Sequence, residues 1–288
     1  MATPIGNLED ITLRALNVLR QVSLIAAEDT RTAQRLLAHY GISTPTTSYF
    51  EHNELAKLDT ILQALQAGDV ALISEAGMPG LSDPGYRLIL AVLEVGVPVV
   101  PVPGPSALIA ALVISGLPTD SFVYLGFLPR KGAARRKLLA EWANERRTLV
   151  TFEAPHRLLD SLQDILETLG NRPIAVAREL TKQFEEVQRG SVQAIIAHFT
   201  AEPPRGEITL VIGGRSEAEI GPWPEDRVRE GLCELLSSGL ATAEAAKAIA
   251  QQAQWPRRQV YRMATSLSVS PIAKPFIPHE EKNDVGFG

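Results

Sequence analysis

Short apolar runs alternate with helically spaced apolar residues over the first third of the chain. Val22 to Ala27, Thr46 to Phe50, Val70 to Ser74 and Pro98 to Val102 carry little internal polarity. This pattern predicts strands buried on both faces. Between them, Leu55, Leu58, Ile61, Leu62 and Leu65 recur at helical spacing, as do Leu8, Ile11, Ala15, Val18 and Leu19. Strand–helix alternation predicts a parallel sheet covered by helices, and residues 1–116 are assigned to this first α/β domain.

The texture changes after Ser121. Strands are predicted at Phe122 to Phe127, Leu149 to Phe152, Ile174 to Arg178, Glu186 to Gly190 and Ile208 to Ile212. Only a few residues separate the third and fourth of these, so part of this sheet should be antiparallel. Leu158, Leu159, Leu162, Ile165, Leu166 and Leu169 mark one long amphipathic helix. Residues 117–215 thus form a second α/β domain, with a mixed sheet. A linker bearing Gly221, Pro222 and Pro224 leads to a small helical segment, residues 224–268. Residues 269–288 show no periodicity and are expected to be a disordered tail.

Composition narrows the class. The chain has 288 residues, 45% hydrophobic and 21% charged, enough apolar material for two cores. A net charge of −5 argues against coating nucleic acid by bulk electrostatics, though not against a local basic face. Cys233 is the only cysteine, so no intrachain disulfide or thiolate metal cluster is expected. No basic-then-apolar leader is visible, which predicts a cytoplasmic protein. The apolar stretch from Leu88 to Leu117 contains Glu94, Pro98, Pro101, Pro103, Gly104 and Pro105, and is expected to be buried elements rather than a membrane span.

The chemistry concentrates where the first-domain strands end. Thr3 to Asn7, Ala27 to Arg31, Glu51 to Glu54, Ser74 to Gly85 and Pro103 to Ala107 are rich in Gly, Pro and carboxylates. In a parallel sheet these loops share one edge, where ligands bind. Asp83-Pro84 and Gly104-Pro105 are expected to cap the helices that follow, and free helix N–H groups attract a carboxylate. No phosphate-cradling loop and no G-x-G-x-x-G follows a strand. A compact zwitterion bearing an adenosine fits best, and on these grounds several such ligands remain open.

At these loops the chain resembles the tetrapyrrole-methylase superfamily, and within it the branch that modifies small-subunit ribosomal RNA. The resemblance runs in order from Ala2 to about Leu267 through "ATPIGNLEDIT", "AAEDTR", "EHNE", "GMPGLSDPGY", "PVPGPSA", "GFLPRK", "HRLLDSL", "ARELTK" and "RGEITLVI". It implies two α/β domains with S-adenosylmethionine between them, 2′-O-methylation of a cytidine of 16S rRNA in the small ribosomal subunit, and a homodimer. Carried across, the cofactor contacts are Pro4, Gly6, Glu75, Ala76, Gly77, Ser106, Ala107, Phe127, Phe152 and Ile208. Glu75 stands where the family often has aspartate. The family usually carries an apolar strand before the Thr-Pro-Ile-Gly-Asn motif, so a start upstream of Met1 is expected.

Methylating a ribose hydroxyl needs a base or an alkoxide-stabilising cation. Glu28, Asp29, Glu153, Arg178, Glu179 and Lys182 are the candidates, with Glu28, Asp29, Glu179 and Lys182 foremost. His52 and His156 have no metal-ligand partners in the pattern, and no metal is expected. For RNA, the span from Arg130 to Arg147 holds seven basic residues against Glu141 and Glu145. Arg130, Lys131, Arg135, Arg136 and Lys137 are expected to track phosphates. Ala243 to Leu267 resembles a helix-turn-helix lacking the usual turn glycine, with Arg257, Arg258 and Arg262 on its second helix. Two alternatives stay open: a tetrapyrrole methyltransferase, and a ligand-sensing DNA-binding regulator.

Overall fold

The computed structural model describes residues 1–216 and 223–268. The predicted tail at 269–288 and most of the linker lie outside the described residues. Two compact units divide the chain, residues 1–215 and 216–288.

In the first unit, Thr12 caps helix α1 (Leu13–Gln21) by accepting the Ala15 N–H. Strand β1 (Leu24–Ala27), helix α2 (Thr30–His39), strand β2 (Thr46–Ser48), helix α3 (Glu54–Ala67) and strand β3 (Val70–Ile73) follow. The three strands form a parallel sheet in the order β2-β1-β3. Its apolar centre is Ala15, Leu19, Ile25, Ala33, Leu37 and Ile73, all buried. Helices α4 (Tyr86–Glu94) and α5 (Ala107–Ile114) complete this half. The expected strand at 98–102 is absent. Residues 97–106 run as an irregular segment: among the described residues, the one backbone bond it receives from the first loop is the Ala2 N–H to the Val102 carbonyl at 3.0 Å. One bond makes no ladder.

The second sheet contains β4 (Phe122–Phe127), β5 (Thr148–Glu153), β6 (Pro173–Arg178), β7 (Glu186–Ser191) and β8 (Ile208–Ile212), in the order β4-β5-β8-β6-β7. β4 and β5 are parallel and the other pairings antiparallel. Helices α6 (Gly132–Glu141), α7 (Leu158–Leu169) and α8 (Val192–Ala201) belong to this half, whose core runs through Leu139, Leu162, Ile165, Val176, Phe199 and Leu210. The opposite face of the sheet packs on α5, where Leu108, Ala111 and Leu112 meet Val150, Ala175 and Val211. Apolar all round, α5 covers this face of the second sheet with Leu108, Ala111 and Leu112 and leaves Ile109 and Val113 exposed.

The basic stretch is divided by burial. Arg130, Lys131, Arg136 and Lys137 are exposed, but Arg135 is only 5% exposed. It turns inward to Asp164 of α7, Nε donating to Oδ2 at 2.6 Å, while Arg136 takes the other oxygen at 2.8 Å. Arg135 therefore belongs to the α6–α7 packing and not to the exposed charge, correcting the expectation of a phosphate contact.

The second unit is a bundle of α9 (Glu225–Ser237), α10 (Thr242–Ala253) and α11 (Arg257–Ser268) around Val228, Leu232, Ile249, Val260 and Ala264. In place of glycine, the α10–α11 turn holds Gln254 in the left-handed region, φ 53°. Arg257, Arg258 and Arg262 are exposed on α11.

Removing the acid of the Arg135–Asp164 pair leaves a buried guanidinium without a counter-charge. Asp164→Asn is expected to destabilise the first unit by about 3 kcal/mol, measured by urea unfolding, while Arg136→Ala costs less than about 1 kcal/mol.

Candidate active site

A cleft of about 380 Å³ opens where the loops at the end of the first sheet face the second sheet. Its position follows from the backbone. Thr3 and Gly77 exchange both hydrogen bonds, at 2.9 and 3.0 Å, joining the first loop to the one after β3. This pairing sets Ile5 beside Ala76 and Gly77 on the cleft wall. Gly77 has φ 76° and lies so that an added Cβ would meet Ile5 at 3.5 Å. Ser106, rather than Gly104-Pro105, caps α5 by accepting the Ile109 N–H, so Ser106 and Ala107 present the start of that helix to the cleft.

Three carboxylates meet on the first-sheet side: Glu28, Glu75 and Asp83. The Glu75 N–H donates to Glu28 Oε2 at 3.2 Å. Burial raises the Glu28 pKa, and the nearby charges of Glu75 and Asp29 push the same way. Asp83 is pushed up to about 6, first by burial and then by Glu28. Its expected role as a helix cap is not observed. Gly85 stands at the start of α4, and the Asp83 carboxyl turns into the cleft. Below this loop, buried Glu54 accepts the Gly85 N–H at 3.2 Å and lies 3.6 Å from Arg87. The Glu51-His52-Asn53-Glu54 loop thus supports the site from behind and contributes nothing to its lining.

The facing wall is apolar and aromatic, with Tyr124, Phe127, Phe152, Pro155 and Ile208. The Tyr124 and Phe127 rings lie 5.4 and 5.5 Å from that of Phe152. Tyr124 reaches back across the mouth, its hydroxyl 2.6 Å from Ser82 Oγ. Ser82 sits at φ 66°, a left-handed conformation uncommon for serine.

Of the residues expected from sequence, Glu75, Ala76, Gly77, Ser106, Ala107, Phe127, Phe152, Ile208 and Glu28 line this one cleft. Pro4 and Gly6 flank the lining residue Ile5 without entering. Asp29 caps α2, accepting the Arg31 and Thr32 N–H groups, and pairs with the Arg31 guanidinium, which holds its carboxyl down at about 2. Glu153 also lines the cleft, but its buried side chain is committed to Ser161, Arg157 and the Ala154 N–H. Arg178 pairs with Glu186 at 2.6 Å. Glu179 and Lys182 pair at 2.8 Å at the edge of the cleft, and Lys182 also lies 3.3 Å from Glu207, which lines it. His52 and His156 are exposed and outside the lining. Among the described residues no cluster of metal-ligating side chains occurs, and no helix is long and apolar enough to cross a membrane. Asp83, Tyr124, Met78, Leu81 and Glu207 also line it and were not expected as site residues from sequence. Asp-Pro at a helix start has a common structural explanation, which concealed Asp83.

The raised Asp83 pKa has a stability consequence. The folded state holds this proton more tightly than the unfolded chain, so stability is full below about 3.8 and falls as pH rises to about 6. Asp83→Asn should match the parent at pH 4. Above pH 6 it should be more stable by on the order of 1 kcal/mol, a figure reduced for the partly open cleft. Thermal melts at both pH values measure the gap.

Comparison with known proteins agrees with this architecture. Residues 2–196 match the family model described as Tetrapyrrole (Corrin/Porphyrin) Methylases. A ribosomal RNA small subunit methyltransferase I from Synechocystis sp. is 47% identical over 269 residues, covering 93% of this chain and 96% of the relative. Its namesake from Thermotoga maritima is 50% identical over 216 residues, 75% of this chain and 97% of the relative. That from Escherichia coli O157:H7 is 44% identical over 266 residues, 91% and 92% of the two chains. Among solved structures, a cobalt precorrin-4 methyltransferase superposes with TM-score 0.56 at 16% identity, covering 74% of this chain and 92% of its own. Uroporphyrin-III C-methyltransferase from Thermus thermophilus, complexed with S-adenyl homocysteine, does so with TM-score 0.51 at 20% identity, over 72% and 92%. At that identity the likeness is one of fold, whereas the first three relatives carry the affiliation: the chain belongs to the ribosomal RNA small subunit methyltransferase I family of the tetrapyrrole methylases.

Proposed function

We propose that this protein transfers the methyl group of S-adenosylmethionine to the ribose 2′-oxygen of a cytidine in 16S rRNA of the small ribosomal subunit. The observation that carries this reading is the asymmetry of the cleft in a chain of this family. One wall gathers Glu28, Glu75 and Asp83, the other is mainly aromatic and aliphatic with the ion-paired Glu153 and Glu207 among its residues, and exposed cations follow the aromatic wall in sequence.

The cofactor's chemistry fits the residues present. S-adenosylmethionine carries a sulfonium and an ammonium, a carboxylate and a flat adenosine. Glu28, Glu75 and Asp83 suit the cationic groups. The first N–H groups of α5, from Ala107 on, suit the carboxylate, and Ile5, Leu108, Phe152 and Ile208 suit the apolar ring faces. When bound, the cofactor supplies an electrophilic methyl group whose leaving sulfur departs neutral, so no general acid is required.

What remains for the protein is alignment and the removal of a weakly acidic proton. Asp83 is suited to accept that proton, since its carboxylate, pushed up to about 6 by burial and by Glu28, is a stronger base than an ordinary aspartate. Glu28 keeps the local field negative. Glu179 and Lys182 act indirectly, holding the backbone of Glu207 at the cleft edge through the Glu207 N–H to Glu179 Oε1 bond of 3.0 Å. Arg130, Lys131, Arg136 and Lys137, together with Arg257 and Arg258 of the helical unit, supply cations for the RNA backbone. The exposed apolar residues Leu90 and Leu93 of α4 and Ile109 and Val113 of α5 support a homodimer.

The test is incubation with methyl-labelled S-adenosylmethionine and small subunits lacking the modification, with the label mapped by nuclease digestion and mass spectrometry. Label on one cytidine ribose is expected. Its rate should rise with pH through about 6 and then level. Asp83→Asn should abolish that rise and slow transfer by about 10²–10⁴-fold. Label on a tetrapyrrole and none on subunits would overturn the proposal.

A further inference from the structure

We infer that Phe127 is the stacking platform for the unstacked nucleobase of the substrate, so that the cytidine is held by an aromatic face at the mouth of the cleft. This rests on the RNA reading above and deepens it. Residues of β4 alternate between two cores. Phe122 and Tyr124 face the α5 side, while Val123 and Leu125 face α6 and α7. Continued alternation would send Phe127 to the side of Val123 and Leu125, away from the cleft. The register prevents this. Tyr124 pairs with Val150 and Phe127 with Phe152, so three steps on β4 match two on β5. This bulge moves Phe127 to the cleft face, as a one-residue insertion must. Gly126 supplies the turn with φ 68°, and the hydroxyl of buried Thr151 holds the Gly126 carbonyl at 2.7 Å.

The ring so placed is 55% exposed, although it rests against Phe152 and lines the cleft. A residue there only to fill the core would have continued on the apolar side, where Leu128, the next residue, is 2% exposed. The resemblance gives Phe127 to the cofactor. However, the enclosed surfaces suited to an adenosine are deeper, at Leu108 and Ile208, both nearly buried. Arg130 and Lys131 are exposed three and four residues beyond Phe127 in the chain, cations suited to flanking phosphates. An exposed aromatic with adjoining cations is the chemistry that holds an unstacked base. A nucleotide that has left its stack can carry its ribose further into a recessed cleft than a stacked one.

The experiment uses the full chain with Phe127→Ala, Phe127→Leu and Phe127→Trp, measuring S-adenosylmethionine affinity by calorimetry and kcat/KM for unmodified small subunits. Expected is a loss of about 5- to 150-fold in kcat/KM for the alanine variant. Leucine should fail similarly, tryptophan should restore the rate to within about threefold, and cofactor affinity should stay within about twofold throughout. A parallel fall in cofactor affinity would assign Phe127 to the cofactor and overturn the inference. Full activity in the alanine or leucine variant would overturn it too. If the parent protein itself fails to label subunits, the RNA reading falls and this inference with it, an outcome distinct from a defect confined to the variants.

Discussion

The close approach of the Gly6 backbone to the loop after β6 fixes the geometry on which the cleft depends. A Cβ at position 6 would lie 2.7 Å from the Leu180 carbonyl oxygen, and a backbone atom cannot yield as a flexible side chain can. From this contact the two walls take their register. On one side, Thr3 is laced to Gly77; on the other, the Asn7 N–H reaches Thr181 Oγ1 at 3.0 Å. The receiving loop is itself constrained, with Glu179 at φ 52° and Thr181 at φ 65°. Conformations of this kind cost about 1–3 kcal/mol each and persist where the surroundings impose them. Here they are imposed by Glu185, which accepts the Thr181 N–H at 2.6 Å, and by the Glu179 contacts with Lys182 and Glu207.

With the walls registered, electrostatics follows from enclosure. Each carboxylate of the first-sheet loops would be unremarkable in water. Gathered in one recess, Glu28 and Asp83 are partly desolvated and are repelled by neighbouring carboxylates, which raises their pKa values. A site in this condition favours a ligand that brings positive charge, and it keeps at least one carboxylate basic enough to take a proton near neutrality. An acidic recess and an exposed basic stretch coexist within a chain of net charge −5, because only local charge acts at these distances.

Much of this was legible in the sequence because buried strands and amphipathic helices leave strong periodic signals. The strands β4 and β8 begin and end where the apolar runs do, and α7 spans the predicted Leu158–Leu169. Parallel topology accounts for the meeting of the loops after β1 and β3 in the cleft, whereas the loop after β2 stays outside its lining and no strand precedes Pro103. Other features depend on tertiary partners and leave little local trace. Residues 98–102 read as a strand, but a strand requires a neighbour, and a single bond from Ala2 does not provide one. Arg135 is one of five cations in an exposed-looking run, and only Asp164, 29 residues away, turns it inward. Asp83 looked like a helix cap because Asp-Pro commonly is one. The bulge that re-aims Phe127 is marked in sequence only by Gly126.

In the function proposed above, the acid-walled cleft holds a cationic cofactor whose charge Asp83 senses. Calorimetric titration of the protein with S-adenosylmethionine and with S-adenosylhomocysteine, from pH 5 to pH 8, tests this most directly, because the two ligands differ by the charge on sulfur. Preference for the sulfonium should grow as pH rises through about 6, where the Asp83 carboxyl ionises, and that growth should vanish in Asp83→Asn. A preference that stays flat across this range in the parent protein would contradict the account.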